Sequence, residues 1–215
     1  FNEIMLTLKP DLKKNFNSCI SESIDFINRF CSNLNLDKEI IDICRYVCDN
    51  IEKYDLVSEN TPTSKAAGSI YLISYLFDLN ISKKEISTIC STSEVTISKC
   101  FSKLIDYYIY IIPDEMLKYL ALDFIHKFSN NLTKYFNKEI FNLFLKNSLS
   151  TFEESISLNV LDNMRHMTIL AASCVLYQIN NFKLKNIGIY EICNQFHLKE
   201  KNILDMYKKL SEKIK

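Results

Sequence analysis

The sequence predicts an all-α protein made of two tandem five-helix units, each ending in a helix-turn-helix-like pair. Three observations predict it. The 215 residues include two glycines and three prolines, too few turn residues for a β-rich chain of this size. Apolar residues recur at helical spacing through most of the chain. The chain also contains itself twice, in ordered blocks.

"DFINRFCSNL" (25–34) returns as "DFIHKFSNNL" (123–132), and "DKEI" (37–40) as "NKEI" (137–140). "SKAAGSIYLI" (64–73) returns as "ILAASCVLYQ" (169–178), and "KEISTIC" (84–90) as "YEICNQF" (190–196). Finally "TISKCFSKL" (96–104) pairs with "NILDMYKKL" (202–210). The offset grows from 98 to 106 residues, so small insertions separate the copies. The divisions expected are 1–17 as the end of a preceding repeat or a linker, 18–113 as one unit and 114–215 as a second, more diverged one.

In the first unit, Ile24, Ile27, Phe30, Cys31 and Leu34 mark one helix face, and Ile40, Ile43, Cys44, Val47, Cys48 and Ile51 a second. Thr61-Pro62 opens the third helix with a cap and a first-turn proline, whose missing N–H has no helical partner to lose. That helix runs through Phe77 and carries Ala66, Ala67, Gly68 and Ser69, so it is expected to be central, with neighbours packed close. Ser82 with Glu85 is a capping box for the fourth helix. Ser91 with Glu94 repeats the pattern for a fifth, expected to run to about Ile112 and stop at Pro113. Ile86, Ile89, Cys90, Val95, Ile97, Phe101 and Leu104 are expected to hold this last pair against the third helix.

Composition narrows the function classes. The chain is 47% hydrophobic and 24% charged with net charge zero, as in a globular protein rather than a disordered one. No apolar run of about 18 residues suggests a membrane span. The start at Phe1 without Met suggests a fragment or a processed chain. Eight cysteines form no C-x-x-C pair, and Cys44 with Cys48 has no further ligand nearby; reduced core thiols and a reducing compartment are expected, with no metal or cofactor. His126, His166 and His197 are scattered, and no phosphate-binding glycine loop or nucleophile–base pair occurs, so an enzyme is not expected. His126 is expected at the surface.

"DFINRFCSNLNLDKEI", "EKYDLVSENTPTSKAAGSIYLIS" and "KKEISTICSTSEVTISKCFSKLIDYY" together, in this order, resemble the second cyclin-like repeat of the transcription factor IIB (TFIIB) family. "FNEIMLTLKP" resembles the end of that family's first repeat, so the close resemblance spans residues 1–113. The resemblance implies a cyclin-like fold and a nuclear scaffold that binds the TATA-binding protein on promoter DNA and assists RNA polymerase II assembly. It implies no small-molecule substrate and no membrane. Nothing matches the family's zinc ribbon, and residues 114–215 depart from its usual layout.

The resemblance also implies a DNA-facing second helix in the pair, with Val95 and Thr96 at groove-facing positions. The family's arginines are replaced by Ser98 and Ser102, which cannot give the bidentate guanine contact. Lys99 and Lys103 remain for phosphates, and Lys83 and Lys84 join them as candidate DNA contacts. Charge is uneven: residues 1–113 hold 12 Lys/Arg against 15 Asp/Glu, and 114–215 hold 14 against 11. Residues 183–215 carry eight lysines against four acids, and Lys199 stands where a cap is needed; a solvated final helix is favoured there over a DNA contact. Two other functions share the five-helix repeat: a TFIIB-related factor of another polymerase, and a cyclin-type kinase subunit, for which no matching Lys–Glu box is seen.

Overall fold

The computed structural model describes residues 22–161, 163–185 and 187–214. The expected end of a preceding repeat, residues 1–17, and Cys19 lie outside the described residues. The described chain is helical throughout and divides into two compact units between Pro113 and Asp114.

The first unit comprises α1 (Glu22–Asn33), α2 (Lys38–Lys53), α3 (Pro62–Leu76), α4 (Lys83–Cys90), α5 (Glu94–Leu104) and a short α6 (Tyr108–Ile111). Its helix starts follow local chemistry. Thr61 Oγ1 accepts the Ser64 N–H at 3.3 Å, with Pro62 in the first turn. Ser82 and Glu85 form the expected reciprocal box: the Glu85 N–H donates to Ser82 Oγ, and the Ser82 N–H donates to Glu85 Oε2.

The third helix is the core. Ala66, Ala67, Ile70, Leu72 and Ile73 are buried, as are Gly68 and Ser69. Gly68 has a definite steric reason: a Cβ there would lie 2.3 Å from Cys100 Sγ and 3.0 Å from Cys100 Cβ. The missing side chain therefore lets α5 close on α3. Around this contact Phe101 meets Tyr71 and Tyr75 edge-on, each at 5.0 Å between ring centres.

Three expectations for this unit need correction. Val95 was expected in the interface with α3, yet it is 64% exposed; Cys100 takes the packed position, and Ile89 and Phe101 are half-buried. The cap of α5 is Ser93, whose Oγ accepts the Thr96 N–H at 3.1 Å, and not Ser91. Ser91 instead ends α4 in the left-handed region (φ 50°), which makes the sharp turn. The fifth helix also stops at Leu104, where a 3-10 turn (Ile105–Tyr107) leads into α6. The helical path is broken there, and Tyr108, Ile109, Ile111 and Ile112 still reach the core.

The second unit repeats the plan with α7 (Asp114–Asn131), α8 (Lys138–Ser157), α9 (Met167–Asn181), α10 (Ile189–Phe196) and α11 (Glu200–Lys213). The central helix is α9, with Leu170, Ala171, Ala172, Cys174 and Val175 wholly buried. Ser173 occupies the register of Gly68 and solves the close approach differently. Its hydroxyl is within hydrogen-bonding distance of its own helix at Ile169 O (2.8 Å) and of α11 at Ile203 O (3.1 Å). Phe196, from α10, packs edge-on against Phe124 at 5.4 Å. Asn137 caps α8 by accepting the Ile140 N–H at 2.9 Å.

The thiols behave as core atoms. Cys31, Cys44, Cys48, Cys90, Cys100 and Cys174 are buried and unpaired in disulfides, and Cys193 is half-buried. Burial pushes Cys48, Cys90, Cys100 and Cys174 up to about 12, so they stay protonated at neutral pH. Cys44 is raised as well, chiefly by its hydrogen bond with Cys31. His126 is exposed, and no helix among the described residues is long and apolar enough to cross a membrane.

Candidate nucleic-acid interface

The α4–turn–α5 pair of the first unit borders an open groove of about 870 Å³. Its floor and one wall come from α5, through Glu94, Val95, Thr96, Ser98, Lys99, Ser102 and Lys103. The α2–α3 loop and the start of α3 supply the other wall, through Glu59, Asn60, Thr61 and Ser64, with Lys83 from α4 at one end. Seven of the eight residues singled out in the sequence thus share one concavity. Lys84 does not: it is exposed outside the groove, and its carbonyl accepts the Thr88 hydroxyl.

The helical period explains the arrangement. Residues 95, 98, 99 and 102 fall on one face of α5, while Ile97, Cys100 and Leu104 fall on the opposite face and are buried against the core. Val95 presents its methyls at the helix start, the chemistry that suits a thymine methyl or a sugar edge. Thr96 is half-buried, with its hydroxyl 2.9 Å from Ser93 Oγ.

The two serine hydroxyls at the groove donate back to their own helix. Ser98 Oγ donates to Glu94 O at 2.8 Å, and Ser102 Oγ donates to Ser98 O at 2.9 Å. Both protons are committed to the carbonyl four residues back, a habit of serine within helices. Neither side chain reaches outward as arginine would.

The cations differ sharply in availability. Lys103 is ion-paired with Glu59 across the groove, and that pairing lowers the Glu59 carboxyl below its ordinary value. The Lys83 ammonium sits 5.1 Å over the Tyr71 ring, where the π face attracts it. Lys99 is exposed and makes no ion pair among the described residues. With Glu59 and Glu94 present, the groove is weakly cationic rather than strongly basic.

Glu59, Asn60 and Ser64 were not anticipated as part of this surface. They lie some 30 to 35 residues before α5, and only the folded α2–α3 loop and the start of α3 bring them alongside. That loop is tightly wound: Asp55 (φ 51°) and Val57 (φ 53°) both adopt left-handed backbone. The conformation costs a β-branched residue about 1–3 kcal/mol. Burial of the Val57 side chain and the Asn60 N–H to Val57 O bond at 2.9 Å hold it. A sequence signal did exist, since Thr61 caps α3 and fixes where the loop must end.

Comparison with known proteins matches residues 17–107 to the transcription factor TFIIB repeat. A putative transcription initiation factor IIB-like protein of Acanthamoeba polyphaga mimivirus is 34% identical over 90 residues, covering 42% of this chain and 20% of that protein. Transcription initiation factor IIB of Xenopus laevis is 35% identical over 77 residues, covering 36% of this chain and 24% of the relative. The same factor of Encephalitozoon cuniculi (strain GB-M1) is 30% identical over 100 residues, covering 46% and 32%. The matches span at most about a third of these relatives' own length. The matched segment holds α1 to α5 and the whole groove described above. This helical segment is similar to the transcription factor TFIIB repeat and to the matching part of these initiation factors.

Proposed function

We propose that the chain acts as a transcription initiation factor of the TFIIB type, in the nucleus, by binding rather than by catalysis. Its first unit docks on promoter DNA held by the TATA-binding protein, as part of the assembly that RNA polymerase II joins. The observation that carries this reading is the groove face of α5, where Val95, Thr96 and Lys99 stand side by side at the surface of a TFIIB repeat.

The chemistry sets the mode of binding. Lys99 is suited to a phosphate, which orients a protein without reading sequence. With the Ser98 and Ser102 protons held by the helix backbone, no side chain in the middle of α5 gives bidentate base recognition. Specific reading of an element upstream of the TATA box is therefore weak, and affinity comes from shape, backbone contacts and the partner protein.

The test is a gel shift with the full chain. A preformed complex of TATA-binding protein and promoter DNA is expected to shift further, with little binding to naked DNA at physiological salt. No further shift would overturn the proposal.

A further inference from the structure

The second unit's α10–α11 pair is a complete helix-turn-helix, although the TFIIB repeat match ends at residue 107. Its turn has the geometry of the first: His197 ends α10 at φ 51°, ψ 45°, where Ser91 ends α4 at φ 50°, ψ 40°. The buried set corresponds as well. Ile192, Phe196, Ile203, Met206 and Leu210 stand where Ile86, Cys90, Ile97, Cys100 and Leu104 stand.

The outward face differs. In the register of Val95, Ser98 and Ser102, α11 carries Lys201, Leu204 and Lys208. All three are exposed, and neither lysine makes an ion pair among the described residues. Seven residues apart, they sit about 10 Å apart along one face of the helix. Asp205, in the register of Lys99, lies on this same face between the two lysines, and Glu200 stands in the first turn; the final stretch is basic as a whole, with eight lysines against four acids over 183–215.

The start of α11 supplies a second observation. Lys199 stands at the cap and makes no side-chain capping bond, whereas Ser93 caps α5. The Lys199 side chain offers the first turn of this 14-residue helix no acceptor; its carbonyl takes the Asn202 N–H at 3.0 Å, and the N–H groups of Glu200 and Lys201 lie ahead of the first helical bond. Such N–H groups, with the positive end of the helix dipole, suit a phosphate oxygen.

We propose that the face of α11 bearing Lys201, Leu204 and Lys208 is a second DNA-backbone contact, sequence-independent, with duplex phosphates as its ligand. The Lys201 and Lys208 ammonium groups meet phosphates, the uncapped helix start takes another, and Leu204 lies against sugar edges. This contact is separate from the docking face of the first unit.

The test titrates the full chain against a 30-base-pair duplex lacking a TATA element, at rising salt from the low-salt range where weak binding is measurable. Each lost phosphate contact lowers the slope of log affinity against log salt by ~0.9. Lys201→Ala with Lys208→Ala should lower it by about 1.8. The control pair Lys118→Ala with Lys146→Ala, exposed on α7 and α8, should leave it nearly unchanged. Circular dichroism melts confirm that both double variants fold. An unchanged slope for the first pair, an equal drop for both pairs, or no duplex binding even at low salt overturns the inference. Loss of the promoter-complex shift together with the expected slope change would overturn the first-unit reading and sustain this one.

Discussion

The two helix-turn-helix pairs share a backbone and differ in what coats it. In the first, a serine caps the second helix and two further serines turn their hydroxyls inward. In the second, lysines occupy the cap and two outer-face positions. Apolar residues on the inner face of each pair are buried at matching register, so the fold tolerates wide change on the outer face. Fold and surface chemistry are therefore separable, because packing depends on one side of each helix and recognition on the other.

The largest effect should come from restoring the missing reach on the first pair. Ser98→Arg with Ser102→Arg places two guanidinium groups on the groove face. Each good guanine pairing contributes about 1–3 kcal/mol, so affinity for the promoter complex should rise about tenfold or more on sites with guanine upstream. The gain should vanish when those guanines are replaced. A rise equal on all sequences would mean that the face meets only phosphates.

The inner faces should respond differently in the two units. Gly68→Ala drives a Cβ into Cys100, and overpacking costs about 1–3 kcal/mol, offset in part by alanine's better helix propensity of ~1 kcal/mol. A net loss of up to about 2 kcal/mol is expected from urea unfolding, with partial rescue by adding Cys100→Ala. Ser173→Ala fits sterically and removes a hydroxyl contact to Ile203 O, for a loss of about 1 kcal/mol. Equal losses without rescue by Cys100→Ala would contradict the steric account of Gly68.

The caps give the smallest contrast and one with opposite signs. Ser93→Ala should destabilise the first pair by about 1 kcal/mol, and Lys199→Ser should stabilise the second by up to about the same amount. Hydrogen exchange of α5 and α11 amides reads each locally. A stabilising Lys199→Ser that also weakens duplex binding would tie the open cap to phosphate contact.

Much of this structure was legible from residues whose effect is local. Thr61-Pro62, Ser82 with Glu85, and the small run Ala66–Ser69 act through neighbours within one turn or through bulk alone, so sequence spacing suffices to place them. Val95 was not legible as an exposed residue, because the helical period cannot say where a face stops being covered at a helix start. Cys100 is small and carries little weight beside Phe101, yet it meets the gap left by Gly68. The break after Leu104 has no glycine or proline to announce it, since Ile105, Tyr108 and Ile109 keep an apolar pattern. In the groove, six of the residues implied by the resemblance share α5, and Lys83 joins them from α4 through the turn between the two helices. The Lys103–Glu59 pair spans 44 residues of sequence, and the inward turn of Ser98 and Ser102 depends on rotamers; neither has a sequence signature.

The central claim is that the groove face of α5 meets promoter DNA. The most direct measurement places a photo-crosslinking amino acid at Val95 and irradiates the chain on a preformed TATA-binding-protein–promoter complex. The label should appear on DNA upstream of the TATA element, and a crosslinker at Ile140, exposed on α8, should give far less. Equal labelling from both positions, or none from Val95, would contradict the account.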